Sequence, residues 1–257
     1  MADIMAAIMI TDQNTTLADA SGARPWAPGL MVRGIQAPLS LRAYRLIAFD
    51  MDSTLVTIEC VDEIADAVGR KTEVAAITEA AMRGEITDFK DSLRRRVALL
   101  AGVTERQLEQ VYRERLRLTP GAAELILACK AAGLKTMLVS GGFSYFAERL
   151  RARLALDFVR SNRLEIVAGR LTGRVLPQSW GDICDSATKR ETLLTACSLI
   201  GCEPEQAIAV GDGANDLPMM AAAGLSVAYH AKPKVREQAH VTIDTGGLER
   251  LLDLFGP

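Results

Sequence analysis

Three short apolar runs in this chain each stop abruptly at small and polar residues, and this pattern restricts the fold more than any other feature. Residues 46–49 run into Asp50-Met51-Asp52-Ser53-Thr54. Residues 136–139 run into Ser140-Gly141-Gly142. Residues 207–210 run into Gly211-Asp212-Gly213-Ala214-Asn215-Asp216, and a fourth run, 225–228, follows Gly224. Short apolar runs without alternation suit strands buried on both faces, as in a parallel sheet. Helical patterns over 143–154, 189–200 and 217–223 separate the later runs, so the expected class is α/β with a Rossmann-like parallel core. In such sheets ligands bind beyond the carboxyl ends of the strands. The three polar strand ends are therefore expected to meet at one site.

Between the first and second runs the pattern changes. Over 61–132 charged residues interleave with apolar ones at helical spacing, as in Val61, Ile64, Ala65 and Val68, or Leu93, Val97 and Leu100. Thr72, Thr87 and Thr104 suit helix N-caps, and Thr104 stands three residues before Gln107 in capping-box spacing. Four or five helices are too many for one crossover, so an inserted helical cap is expected over 57–133, between core segments 44–56 and 134–257. Residues 164–176 read as a small β-hairpin turning near Ala168 and Gly169. Residues 1–43 read as a loosely docked N-terminal extension, with a short strand available near 30–35.

Charge and composition exclude several function classes. Lys plus Arg total 30 against 32 for Asp plus Glu, a formal charge of -2, which argues against nucleic acid or an anionic membrane as a partner. No apolar run reaches the ~18 residues of a membrane span, and the start of the chain lacks the basic residues of a secretory signal. Five cysteines without a CxxC pair, and two histidines, make a zinc site unexpected and suit reduced thiols in the cytoplasm. A small-molecule substrate is the partner class left. Nothing in the sequence points to a protein partner.

The strand ends carry the chemistry. Asp50 and Asp52, two apart on an extended segment, project to one side, where paired carboxylates can hold a hard cation or divide nucleophile and acid roles. A helix-capping turn is the plainer reading of an isolated Asp-x-Asp. An EF-hand fails because its sixth position is Leu55 and its twelfth Val61. Ser140 and the glycines after it suit either a strand-to-helix turn or a phosphate cradle. The segment 211–216 ends in aspartate where a dinucleotide-binding loop needs glycine, and Asp212 and Asp216 suit a metal site better.

Taken in order, Asp50-Met51-Asp52-Ser53-Thr54, Ser140, Lys189 and Gly211-Asp212-Gly213-Ala214-Asn215-Asp216 resemble the four motifs of the haloacid-dehalogenase-like phosphatases. The stretches SLRRRVALL, VSGGF, NRLEIVAGRLTG and VGDGANDLPMM are similar to the branch of that family that acts on phosphoserine, and the resemblance spans roughly 44–255. It implies Mg²⁺-dependent hydrolysis of O-phosphoserine through an aspartyl-phosphate. Asp50 is then the nucleophile and Asp52 the acid and base. Asp50, the Asp52 main-chain carbonyl and Asp212 are the implied metal ligands, with Asp216 behind them. Ser140, Gly141, Lys189 and Asn215 are the implied phosphate-side contacts. Glu59 and Arg96 are implied to meet the ammonium and carboxylate of the substrate, and Met82 and Phe89 to close over it. A phosphotransferase using another amino-acid hydroxyl as acceptor, and a non-catalytic phosphoserine sensor, remain the alternatives.

Overall fold

The computed structural model describes residues 22–256. The apolar start of the chain and the polar stretch up to residue 21 lie outside the described residues, as does the side chain of Met82. The described strands are β1 (Ala23–Ala27), β2 (Leu30–Arg33), β3 (Leu46–Phe49), β4 (Lys135–Phe143), β5 (Phe158–Val167), β6 (Arg170–Leu176), β7 (Ala207–Gly211), β8 (Leu225–Tyr229) and β9 (Val241–Ile243). They form one sheet in the order β1-β2-β9-β8-β7-β3-β4-β5-β6. The six strands from β9 to β5 run parallel, and the outer pairs β2–β9 and β5–β6 are antiparallel.

The two faces of this sheet are chemically distinct. Ile47, Phe49, Leu138, Ile208 and Val210 belong to the larger apolar cluster. Leu46, Ala48, Met137, Val139, Ala207 and Ala209 belong to a second cluster, with Leu193, Ala196, Cys197, Met219 and Met220. The strand period of two therefore sends neighbouring residues to opposite helical layers, and both layers exclude water. Alanines at 48, 207 and 209 leave room for helices α7 (Ser186–Ile200) and α8 (Leu217–Ala222) to approach closely. The core is thus a three-layer α/β structure, as its strand ends imply.

From β3 the chain passes to β4 and β5 on one side, while β7, β8 and β9 follow on the other. Strand order reverses at β3, which places a crevice at its carboxyl end. Asp50 is the first residue beyond that end.

Between β3 and β4 lie α1 (Cys60–Ala67), α2 (Lys71–Met82), α3 (Phe89–Ala98), α4 (Glu105–Gln110) and α5 (Ala122–Ala131), and α6 (Ser144–Leu154) follows β4. The chain leaves and re-enters the core side by side. Val56 bridges Leu118, the Thr57 amide donates to the Arg117 carbonyl at 3.0 Å, and the Thr119 amide donates to Leu55 at 3.0 Å. After this crossing α5 packs on the C-terminal 3₁₀ turns at Leu248–Leu254, and the Leu248 amide donates to Pro120. The expected cap boundary at 133 groups α5 with the cap, whereas its packing partners belong to the core.

The β5–β6 hairpin turns at Ala168 and Gly169, both with positive φ. Its second strand docks against the cap, with the Gly102 amide donating to Leu171 and the Leu171 amide to Val103, each at 2.8 Å. Thr104 forms the expected capping box with Gln107. Thr72 and Thr87 do not cap. Arg70 precedes α2, and the Asp88 carboxylate accepts the Lys90 amide at the start of α3, one residue past Thr87.

The N-terminal segment differs from a loosely docked arm. β2 pairs with β9 through Leu30–Ile243 and Val32–Val241, and Leu30 and Val32 are buried. The Trp26 indole donates to the Asp253 carbonyl at 2.8 Å. The parallel edge at β9 would otherwise be open, and the β1–β2 hairpin covers it. The brevity of β9, three residues in a polar surrounding, hid this partner in the sequence.

Candidate active site

At the carboxyl end of β3 the chain makes one wide turn over Met51–Leu55, with Ser53 at φ 55°. Asp50 and Asp52 flank Met51, and both face a cavity of about 330 Å³. The same cavity is lined by Glu59, Asp62, Phe89, Arg96, Ser140, Gly141, Asp212, Asn215 and Lys232. It thus joins three strand ends to helices α1 and α3.

A buried ion cluster forms its floor. Lys189, in the second turn of α7, is 1% exposed, and its ammonium lies 2.6 Å from both Asp50 Oδ1 and Asp216 Oδ1. Asp185 caps α7 by accepting the Thr188 amide at 2.8 Å, which fixes where Lys189 emerges. Asp216 is fully buried, and both its oxygens are engaged. Oδ2 accepts the amides of Asp212 at 3.2 Å and Gly213 at 3.0 Å. Gly211 is required here because a Cβ would lie 2.5 Å from Asp216 Cγ. Thr54 donates to Asp212 Oδ1 at 3.1 Å, and Thr119 donates to the Thr54 carbonyl at 2.6 Å.

Asp50, Asp212 and Asp216 each offer an oxygen within 4.8 Å of the others. Three carboxylates against one lysine leave excess negative charge in a water-poor site. All-oxygen donors of this kind fit a hard divalent cation. Burial, then Asp216, pushes the Asp50 carboxyl well above its usual range, while Lys189 pulls it down. Burial and then Asp216 raise Asp212 to about 6. Burial alone would strip the Lys189 proton, but Asp216 and Asp50 outweigh it and hold the ammonium charged.

Asp52 stands apart from that cluster. Its Oδ1 is buried and has no hydrogen-bond partner. Burial and then the Glu59 charge raise it to about 7, against hydrogen bonding from Cys60. Opposite it, the Ser140 hydroxyl oxygen accepts the Gly142 amide at 2.8 Å. A Cβ on Gly142 would meet Met51 Cε at 2.6 Å and Asp52 Oδ2 at 3.0 Å, so glycine keeps the two strand ends together.

The cap closes the other side. Glu59 accepts the Ser53 hydroxyl at 2.7 Å and is otherwise exposed. Arg96 lines the cavity with its Nε buried and unpartnered. Burial lowers its pKa, with Asp62 and then Glu59 opposing. Phe89 leans over the cradle, 3.0 Å from where a Gly141 Cβ would stand. Two cap–core ion pairs of α3 hold it there, Lys90 to Asp185 at 3.2 Å and Arg94 to Asp182.

The structure thus brings Asp50, Asp52, Glu59, Phe89, Arg96, Ser140, Gly141, Asp212 and Asn215 around one cavity, with Lys189 and Asp216 beneath it. Met82 ends α2, and its side chain lies outside the described residues. Asp62, Lys232 and Asn162 are not among the site residues expected from the sequence, and Thr54 is there only as a member of the Asp50–Thr54 motif. Asp62 had a signal, since it follows Glu59 by three and shares its helix face. Asn162 lies just ahead of the hairpin expected over 164–176 and stands in the sequence only as the first residue of the stretch NRLEIVAGRLTG, with no role attached. Lys232, well past the last motif, has no such signal.

A family model described as haloacid dehalogenase-like hydrolase matches residues 44–224. A protein of Albidiferax ferrireducens named phosphoserine phosphatase is 68% identical over 231 residues, covering 90% of this chain and 98% of that one. A solved substrate-bound phosphoserine phosphatase complex is 38% identical, with a TM-score of 0.75 over 83% of this chain and 99% of its own. A structure described as a phospho-aspartyl intermediate analogue of phosphoserine phosphatase matches at the same identity, TM-score and coverage.

Proposed function

From a chain that belongs to the haloacid dehalogenase-like hydrolases, we infer a phosphoserine phosphatase, which hydrolyses O-phosphoserine to serine and phosphate. The observation that carries the amino-acid half of this reading is Arg96, whose buried Nε has no hydrogen-bond partner, in the wall of the cavity that Asp50 and Asp52 enter. Its planar fork matches a carboxylate. Glu59, on the same cavity, suits the ammonium.

Asp50 attacks phosphorus, forming an oxygen–phosphorus bond as the bond to the serine oxygen breaks. Asp52 gives its proton to that leaving oxygen. In the second step Asp52 takes a proton from water, the water oxygen bonds phosphorus, and the Asp50–phosphorus bond breaks. A carboxyl raised to about 7 serves both directions near neutrality. Lys189 holds Asp50 and balances the charge of the transferring group. Ser140 and the amide of Gly141 suit the phosphate oxygens, and Asn215 lies beside them at the cavity wall.

Asp50, the Asp52 carbonyl and Asp212 would hold Mg²⁺, with Asp216 behind them because both its oxygens are already engaged. The ion supplies charge that offsets repulsion between the phosphate and the nucleophile. The five cysteines are free, in keeping with a reduced cytoplasmic setting. Among the described residues no helix is long and apolar enough to cross a membrane.

Phosphate release from O-phosphoserine, with Mg²⁺ and with excess chelator, tests the reading. Release that stops on chelation and returns on adding Mg²⁺ is expected. Full release in chelator overturns the metal assignment, and no release under either condition overturns the enzyme.

Arg96→Ala removes a charge-assisted partner worth about 1.5–3 kcal/mol, so kcat/KM for phosphoserine should fall about ten- to a hundredfold. Glu59→Gln should act in the same sense through the ammonium. A generic aryl phosphate carries neither group, and its kcat/KM should hardly change. Equal losses on both substrates would place these residues in folding or catalysis rather than recognition.

A further inference from the structure

Between Val139 and Phe143 the parallel ladder of β4 and β5 breaks. Val139 is opposite Arg160, and Phe143 is opposite Asn162, so β4 carries two extra residues there. Those residues belong to the Ser140–Gly142 cradle. The bulge frees the Gly141 carbonyl from the strand ladder, and a side chain takes the place of a strand. Asn162 Nδ2 donates to the Gly141 carbonyl at 2.7 Å, and Asn162 Oδ1 accepts the Cys184 amide at 2.8 Å. Asn162 is fully buried.

We propose that Asn162 is a positioning residue that aims the Ser140 hydroxyl at the phosphoryl group. The proposal rests on the phosphatase reading for its substrate, and on a short chain of geometry for its content. The Gly141 carbonyl and the Gly142 amide belong to one peptide plane. In a trans peptide these groups point in opposite directions, and no cis bond occurs here. Drawing the carbonyl toward Asn162 therefore turns the Gly142 amide the other way, where it donates to Ser140 Oγ at 2.8 Å. An amide can only donate, so Ser140 Oγ is the acceptor, and its own proton is left for a different partner. Ser140 lines the cavity beside Asp50 and Asp52. A phosphate oxygen there accepts a hydrogen bond from that hydroxyl.

The second amide contact extends the same control. Cys184 precedes Asp185, which caps α7 one turn before Lys189. One buried side chain thus ties the cradle after β4 to the helix that delivers the lysine. Hydrogen-bonded through both ends of its amide, Asn162 has little rotational freedom.

The test is a double-mutant cycle on the full chain with Mg²⁺. Asn162→Ala, Ser140→Ala and the double variant are assayed on O-phosphoserine and on p-nitrophenyl phosphate, with inorganic phosphate affinity measured by calorimetry. A misplaced contact of this kind costs about 10²-fold, so each single variant should lose about that much kcat/KM on both substrates. Phosphate affinity should weaken in both. The double variant should be no worse than the poorer single variant, because Asn162 acts through Ser140. Losses that multiply, or an Asn162→Ala enzyme with parental phosphate affinity, would overturn the proposal. If Asn162→Ala does not fold, Asn162→Ser carries the same cycle, since one hydroxyl is too short to bridge both partners. The aryl phosphate separates the two readings. A parent that cleaves it but not phosphoserine refutes the substrate assignment and leaves the Asn162 cycle intact.

Discussion

Asp50→Asn should abolish turnover and leave the fold in place. The expected loss is about 10⁴-fold or more, the scale seen when a covalent nucleophile is removed from an enzyme. An amide is a poor nucleophile toward phosphorus, and as a neutral group it is a weaker metal ligand. The fold should survive because asparagine matches aspartate in size, and Lys189 keeps Asp216 as a partner. Burial already works against an ionised Asp50, so neutralising it should leave the melting temperature unchanged or higher. Asp52→Asn should differ in kind. It keeps the nucleophile but exchanges no proton, so both steps slow by about 10²–10⁴-fold. Acid quenching of a single turnover with phosphorus-labelled substrate separates the two. Label should stay on the Asp52→Asn protein and be absent from Asp50→Asn. Near-parental hydrolysis by Asp50→Asn would end the covalent mechanism.

The place of Asp50 at a strand end was legible in the sequence because that signal is local, while its role as nucleophile came only with the order of all four motifs. An apolar strand run that breaks into Asp-x-Asp needs no knowledge of distant residues. The same holds for Ser140 with its glycines, and for Asp212 and Asp216, each announced by the strand before it. Lys189 is different. Nothing about a lysine on a helix marks it as buried, and only its order among the motifs pointed to it. Its burial depends on two carboxylates that arrive from 139 residues earlier and 27 later. Asn162 was invisible as a functional residue for the same reason. Its partners, Gly141 and Cys184, come together only once a two-residue bulge opens in β4. The N-terminal hairpin failed in another way. Its strands are five and four residues long and rich in prolines and glycines nearby, and what makes them strands is the open edge of β9, a tertiary fact. Local patterns therefore revealed the parallel core and the acid residues, while residues defined by what packs on them did not show.

Lys189→Met should be the most destabilising single change at the site. Methionine fills much of the lysine volume but supplies no charge, so Asp50 and Asp216 lose their shared partner while staying buried. Removing one member of a buried ion pair costs about 3–5 kcal/mol. For a domain of this size that lowers the melting temperature on the order of 10 °C. Activity should vanish as well, because Asp50 loses the ammonium that favours its charged form and aims it. The sign of the pH dependence follows from the carboxyls. Burial and Asp216 already raise Asp50, and Lys189 is the group that opposes them. Without it the folded-state pKa climbs further above the unfolded value of about 4. A carboxyl raised in the folded state binds more protons there than in the unfolded chain, so stability falls as pH rises from about 4 toward that folded value. In metal-free buffer the deficit of Lys189→Met should therefore be smaller near about pH 5 than near about pH 8. A second change isolates the cause. Lys189→Met with Asp216→Asn removes one of the stranded charges and should recover part of the lost stability. Urea unfolding of the parent, the single variant and the pair measures each step. A pair no more stable than Lys189→Met alone would mean that the lysine stabilises by packing, and that the buried charge cluster is not what fixes Asp50 in place.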